Sequence, residues 1–216
     1  MLAFWNVLSA SSGFEELVDR IVAVVNEHVI TLTDIKIADK FGIYEEELNG
    51  KIENRFLLIL ERMINQKIVI DATSEDIFVK EEELESALKK MAAKFDLGEF
   101  EKKLDEFGLD QEDLKNYLKE AILYQKILSR RFGRGVSVSL EEIVSYYRNT
   151  YIPSQNRKGI ESRPMMELLD DIELRIRQEK TRKQIVDWIN NLKKQAEIEI
   201  KSDILKNIEK SEMEQK

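Results

Sequence analysis

The stretch VDRIVAVVNEHVITLTDI, residues 18–35, decides how the rest of the chain is read. Val18, Ile21, Val22, Val24 and Val25 are the β-branched residues of a buried strand. Asn26, Glu27 and His28 supply a turn, and Val29-Ile30-Thr31 brings the chain back. Thr33 or Asp34 then offers an oxygen to cap the helix that follows. Nearly everything downstream has helical spacing. A lone hairpin is marginal in water, so this one needs a further strand. Ala196–Lys201, AEIEIK, about 170 residues later, alternates apolar and polar residues and is the best candidate. Such a pairing would tie the two ends of the chain together.

Composition narrows the field. The chain has 216 residues, 43% of them hydrophobic and 35% charged, with only two prolines. That balance favours long helices with solvated faces over a β-sandwich. A net charge of −8 argues against a general nucleic-acid binder. There is no cysteine, which excludes disulfides and thiolate chemistry. Apolar runs such as Phe56–Leu60 are far too short to span a bilayer, so no stable membrane insertion is expected. Residues 1–13, MLAFWNVLSASSG, stand apart. They read either as the end of an export signal, lacking its basic start, or as an ordinary N-terminal extension.

The periodicity predicts a short helix over Asp34–Phe41 and a further turn at Glu45–Leu48. Longer helices follow over Lys51–Ala72, Lys80–Phe95, Glu99–Phe107, Asp110–Phe132 and Ser139–Tyr151. Pro153–Pro164 reads as a linker, and Met165–Lys194 as the closing helix. The middle of that last helix, Arg177–Gln184, has no apolar residue, so it should cross a gap or follow a solvated surface between two buried ends. The expected organisation is one module over residues 14–201. It comprises the hairpin and helices to residue 151, a linker over 152–164, a closing helix and strand over 165–201, and then a charged tail over 202–216.

Three segments carry a family resemblance: the hairpin at 18–35; GLDQEDLKNYLKEAILYQKILSRRF at 108–132 with VSVSLEEIVSYYRNTY at 136–151; and IRQEKTRKQIVDWINNLKKQAEIEI at 176–200. In this order and spacing the chain resembles the SurA-type chaperones, exported bacterial folding helpers related to PrsA-like and trigger-factor-like proteins. The resemblance implies a mostly α fold, a multi-helix chaperone module with a small β-sheet made by the N-terminal hairpin and a C-terminal strand. It also implies a periplasmic protein that holds unfolded polypeptides, outer-membrane or secreted proteins among them, without ATP or another cofactor. Members commonly carry parvulin-type prolyl isomerase domains between the helical parts. Here only Gly133–Pro164 occupies that place, too short for a separate core and without a parvulin signature.

The residues that could carry other chemistry have simpler readings. His28 is the sole histidine and has no histidine or cysteine to work with, so an exposed turn residue fits it best. Glu45-Glu46-Glu47 and Glu81-Glu82-Glu83 lack the spacing of a calcium loop and suit helix N-terminal turns. Arg130, Arg131 and Arg134, with Arg175, Arg177, Lys180, Arg182 and Lys183, fit helix C-termini and a solvated face better than a nucleic-acid surface. No P-loop, dinucleotide-binding, zincin or nucleophile-elbow motif occurs. Under the resemblance, Phe56, Leu60, Met91, Phe95, Phe100, Phe107, Tyr117 and Tyr124 are the candidate peptide-binding side chains, although the same spacing serves a core. Trp188 is expected to pack near the hairpin or the helix after it.

Two other classes stay open: a helical scaffold or adaptor with one dedicated partner, and a prolyl isomerase with an unrecognised site. Whether the chain forms a homodimer is also open at this level. A proline-peptide isomerisation assay separates the enzyme from the binder. The expected outcome is no rate above background, because the sequence holds no catalytic constellation.

Overall fold

The computed structural model of the chain describes residues 19–45, 55–73 and 76–201. Its first elements are β1 (Ile21–Val25) and β2 (His28–Thr31), joined by the two-residue turn Asn26-Glu27. Asn26 has φ +51°, a left-handed conformation that asparagine tolerates better than most residues. His28 belongs to β2, opposite Val25, and not to the turn as expected. Its Nε2 lies 2.8 Å from Asp71 Oδ1, and Asn26 Nδ2 donates to Asp71 Oδ2 at 2.9 Å. The only histidine thus helps hold the hairpin to a neighbouring helix end.

Thr31, and not Thr33 or Asp34, caps α1 (Leu32–Lys40). Its hydroxyl accepts from Asp34 N–H, and the Asp34 carboxylate accepts in turn from Thr31 N–H at 2.8 Å. The helix begins one turn earlier than the cap expected from sequence because Thr31 is still extended and Asp34 is its reciprocal partner.

Among the described residues the further helices are α2 (Arg55–Asp71), α3 (Glu81–Ala92), α4 (Glu99–Phe107), α5 (Gln111–Phe132), α6 (Leu140–Tyr146), α7 (Ile152–Lys158) and α8 (Leu169–Lys193). Residues 51–54 of the expected second helix and the turn at Glu46–Leu48 lie outside the described residues. The stretch read as a linker is half helix. α6 runs through a π-turn at Tyr147–Tyr151 into α7, and only residues 159–164 are irregular. Pro153 is tolerated there because it sits in the first turn of α7, where a missing N–H costs little.

β3 (Ile198–Ile200) closes the sheet, whose strand order is β2-β1-β3. It runs antiparallel to β1, with Val25 opposite Ile198, Val24 opposite Glu199 and Ala23 opposite Ile200. The joining of the two chain ends, expected from the alternation at 198–200, is present. Asn26 reinforces it: its Oδ1 accepts from Glu197 N–H at 3.0 Å, and its own N–H donates to Glu197 O at 2.8 Å.

Among the described residues, four apolar clusters form the core. The first lies between the sheet, α1 and α2, with Val22, Val25, Ile30, Ile35 and Ile59 fully buried. The second gathers α1, α3, α4 and α5 around Phe41, whose ring meets Phe95, Phe100 and Phe107 at 6.1, 5.8 and 6.4 Å. α1 is the joint between them: Ile35 and Ala38 face the first cluster, Ile37 and Phe41 the second. The third packs Val69, Tyr124 and Ile127 against Ile189 of α8, and the fourth packs Ile143 against Leu168, Ile172 and Ile176. Arg177–Gln184 bridges the third and fourth, as its polarity required, and Lys180 anchors this stretch by donating to Glu142 Oε1 at 2.8 Å and Ser137 O at 2.9 Å.

Trp188 departs from expectation. It belongs to the third cluster, edge-on to Phe132 at 5.5 Å with the Arg131 guanidinium 4.5 Å from its ring centre. Five residues before the end of α8, it faces the end of α5 and not the hairpin, because Leu192 and Ala196 occupy the hairpin side.

A chain ending at Gln195 loses β3, its backbone bonds to β1 and the cover of Ile198. Ile200 is 48% exposed, so it adds little. At roughly 0.5–1.5 kcal/mol per backbone bond, the loss should be on the order of 2–5 kcal/mol. Urea melts of the two chains should show a clearly lower midpoint for the shorter one; equal midpoints would contradict this account of the fold.

Candidate functional site

The eight apolar and aromatic side chains singled out from sequence do not converge on one surface. Phe56 and Leu60 are buried in the first cluster, Met91 and Phe100 in the second, Tyr124 in the third. Phe95, Phe107 and Tyr117 are half-buried against the second cluster. Lys103 Nζ covers the Phe95 ring at 4.4 Å. Tyr117 donates to Asp34 Oδ1 at 2.7 Å, fastening α5 to the cap of α1. Its burial, and then this bond to a carboxylate, push the phenol pKa well above its ordinary value, so it stays a neutral donor across the physiological range.

The structure instead forms a groove of about 650 Å³ between α3 and α5, closed at one end by residues 42–44. Its apolar lining is Ile43, Tyr44, Ala87, Met91, Leu118, Ala121 and Ile122. Met91 is the one residue of the sequence-derived set that reaches it. The groove has a local cause. Ala87 sits one turn before Met91 on α3, and Ala121 sits beside Leu118 and Ile122 on α5. Small side chains between large ones leave room that larger residues would fill. Reading Ala87 and Ala121 as a gap between two helices could have found this site; periodicity alone counts them as ordinary core positions.

Charge frames the opening. Lys90, Lys94 and Lys126 line the groove together with a single acid, Glu83. Lys126 Nζ donates to Glu83 Oε2 at 2.5 Å and to Phe78 O at 3.0 Å, which ties α5 to the start of α3. The hydrogen bond from Lys126, followed by that from the Lys80 backbone N–H, holds the Glu83 carboxyl below its ordinary pKa of 4.5. The site therefore couples an apolar floor to a cationic rim in a protein of net negative charge.

Smaller clefts lie elsewhere among the described residues. One of about 260 Å³ separates α2 from α8, with Tyr124 and Ile189 in its wall and the buried Asn65 Oδ1 lacking a hydrogen-bond partner. One of about 340 Å³ holds Tyr117, Asp34 and Lys67. The third, about 500 Å³, lies between the α6–α7 segment and α8, with Tyr146, Tyr151 and Arg175. Among the described residues no three His, Asp or Glu side chains converge as a metal-ligand set, and no helix is long and apolar enough to cross a membrane.

Residues 18–128, just over half of the chain, match the SurA N-terminal domain family. "Chaperone SurA" of Methylobacillus flagellatus is 27% identical over 152 residues, which is 67% of this chain and 35% of that protein. Its namesake in Nitrosospira multiformis is 27% identical over 143 residues, 62% of this chain and 32% of that protein. That of Legionella pneumophila is 21% identical over 148 residues, 62% of this chain and 33% of that protein. The chain thus spans about a third of the length of the curated relatives it matches.

The lowered pKa of Glu83 fixes the sign of a pH effect. A carboxylate whose folded pKa lies below its unfolded value stabilises the fold above that unfolded value, and the contribution fades as pH falls through the folded one. Glu83→Gln should therefore lower the urea midpoint slightly at pH 7, and the gap to the parent protein should close as pH drops below 4.5. A gap that stays constant to pH 3 would show that the Lys126–Glu83 contact contributes nothing electrostatic.

Proposed function

The chain belongs to the SurA N-terminal domain family, and from that premise we propose that it is a chaperone that holds unfolded or extended polypeptides. The observation carrying this reading is the family match over residues 18–128, which includes α3 and all but the last four residues of α5, the two helices of the groove. The groove supplies what a polypeptide holder needs. Its apolar floor takes client side chains at about 25 cal/mol per Å² of apolar area removed from water. Much of that gain is offset by ordering the client, so binding is reversible and needs no nucleotide. Met91 contributes to the groove floor, Phe95, Phe107 and Tyr117 pack half-buried on the second cluster outside the groove, and Phe56, Leu60, Phe100 and Tyr124 support the helices from within.

The lysine rim adds a preference for client segments carrying acidic residues, and it keeps the groove open to water when empty. Clients on this reading are outer-membrane or secreted proteins in transit, and the compartment is the periplasm. Both follow from the family resemblance. The module runs from the hairpin to β3, and no isomerase domain stands between α5 and α8, where only α6, the π-turn, α7 and a short loop are found.

The full chain, without nucleotide, should suppress aggregation of a thermally unfolded model enzyme at equimolar to several-fold excess. Ala121→Glu places a charge on the groove floor at a helical position that glutamate suits. It should weaken suppression several-fold, on the order of 1 kcal/mol of binding, with little change in the urea midpoint. Absence of suppression by the parent protein would refute the proposal; full suppression by the variant would move the binding surface away from this groove.

A further inference from the structure

Two buried side-chain amides stand next to each other in α2, and their surroundings differ. Gln66 is 3% exposed, and its Oε1 accepts from the Tyr44 hydroxyl at 2.8 Å. Asn65 is 6% exposed, and its Oδ1 is buried with no hydrogen-bond partner in the protein. Asparagine is a poor helix former, and an acceptor taken from water without a partner bears its full desolvation cost. Leucine, of similar size, would avoid both costs at this position. The amide is therefore matched to a donor that the fold itself does not supply.

Asn65 belongs to the wall of the cleft of about 260 Å³ between α2 and α8. The terminal torsion of asparagine is broad, so a small turn of the amide brings its oxygen to a group held there. Most of the wall is apolar: Leu58 of α2, Tyr124 of α5, and Ile185, Val186 and Ile189 of α8. Val186 is 49% exposed, an apolar side chain left half in water. Glu61, Arg62, Asn190 and Lys193 complete the lining, and Lys193 Nζ donates to Glu61 Oε1 at 3.3 Å, from α8 to α2.

Size, charge and hydrogen-bond sense together select a ligand. Sites for whole drug-sized molecules begin at roughly 300 Å³, so this cleft suits a single side chain. Two cations against one acid disfavour lysine and arginine, and the aliphatic walls disfavour a carboxylate. The unmet oxygen requires a donor. The indole N–H is a donor with no acceptor of its own, whereas the tyrosine hydroxyl would bring further lone pairs among aliphatic walls. Indole is also the ring most attractive to cations such as Arg62 and Lys193.

We propose that the α2–α8 cleft is a binding site for one tryptophan side chain, with the indole N–H donating to Asn65 Oδ1 and the ring lying among Leu58, Tyr124, Ile185, Val186 and Ile189. The site is separate from the α3–α5 groove. That the tryptophan is carried by a bound polypeptide rests on the chaperone reading above; the chemistry of the cleft does not. One indole in a cleft of this size binds weakly, so it acts as a point of register for a segment held elsewhere.

The test titrates the full chain, isotope-labelled at isoleucine and valine methyls, with indole and with benzofuran, the same bicycle with an acceptor oxygen in place of the N–H. Indole should shift the Val186 and Ile189 methyl signals to saturation. Benzofuran should bind about three- to tenfold more weakly, the worth of one hydrogen bond. Asn65→Leu should weaken indole alone and so erase the preference, while the urea midpoint holds level or rises. N-acetyl-tryptophanamide, which adds peptide groups to the ring, should bind at least as tightly as indole. Equal affinity of the parent for indole and benzofuran overturns the inference, as does a preference that survives Asn65→Leu, a shift confined to other methyls, or exclusion of N-acetyl-tryptophanamide. A lowered midpoint for Asn65→Leu would show that the amide is already bonded within the fold, and overturns it too. No binding of indole overturns it and leaves the chaperone reading standing, since aggregation suppression decides that. Failed suppression with the titrations as expected strikes the chaperone reading and leaves the indole site in place.

Discussion

β1 pairs on both sides, and the rest of the molecule depends on that. Its partner on one side is the next strand in the chain; its partner on the other is near the opposite end, with Asn26 bonded to Glu197 across 171 positions of sequence. Closing so long a loop costs conformational entropy, and the backbone bonds of a three-residue strand do not offset it alone. The burial of Val22, Ala23 and Val25 against α2, with Leu192, Ala196 and Ile198 packed alongside, supplies the remainder. The sheet is small, yet together with the third cluster, where Val69, Tyr124 and Ile127 meet Ile189, it joins the N-terminal helices to the closing helix.

From that anchor the helices spread in two directions. α1 carries apolar residues on two faces, so it joins the sheet-side cluster to the aromatic cluster around Phe41. α8 starts far from the sheet, packed on α6, passes through a polar stretch tied down by Lys180, and ends beneath the hairpin. The groove between α3 and α5 lies within the branch organised by Phe41, away from the sheet. The groove proposed for client binding offers apolar side chains framed by lysines.

Lys126–Glu83 and Lys115–Glu81 both join α5 to the first turn of α3, the second at 2.5 Å. Exposed pairs of this kind contribute little each to stability. The Lys126–Glu83 contact lies in the wall of the groove.

Much of this was legible in the sequence because it depends on local chemistry. The β-branched run at 21–25, the alternation at 198–200, the helical spacing of α2 to α5 and the polar middle of α8 each reflect a periodicity that one face of burial imposes. The cap of α5 is local in the same way, since Asp110 and Asp113, three residues apart, bond each other's backbone reciprocally. What lies beyond the next few residues was not. Trp188 looked like a partner for the hairpin, but α8 turns that face to Phe132 and presents Leu192 to the sheet instead. Large apolar residues looked like candidates for client contact, and most were drawn into the interior, since burial favours the largest side chains first. The groove arises where the helices fail to fill space, at Ala87 and Ala121. Periodicity reports which face of an element is buried. Only the packing of one element on another decides where a gap is left.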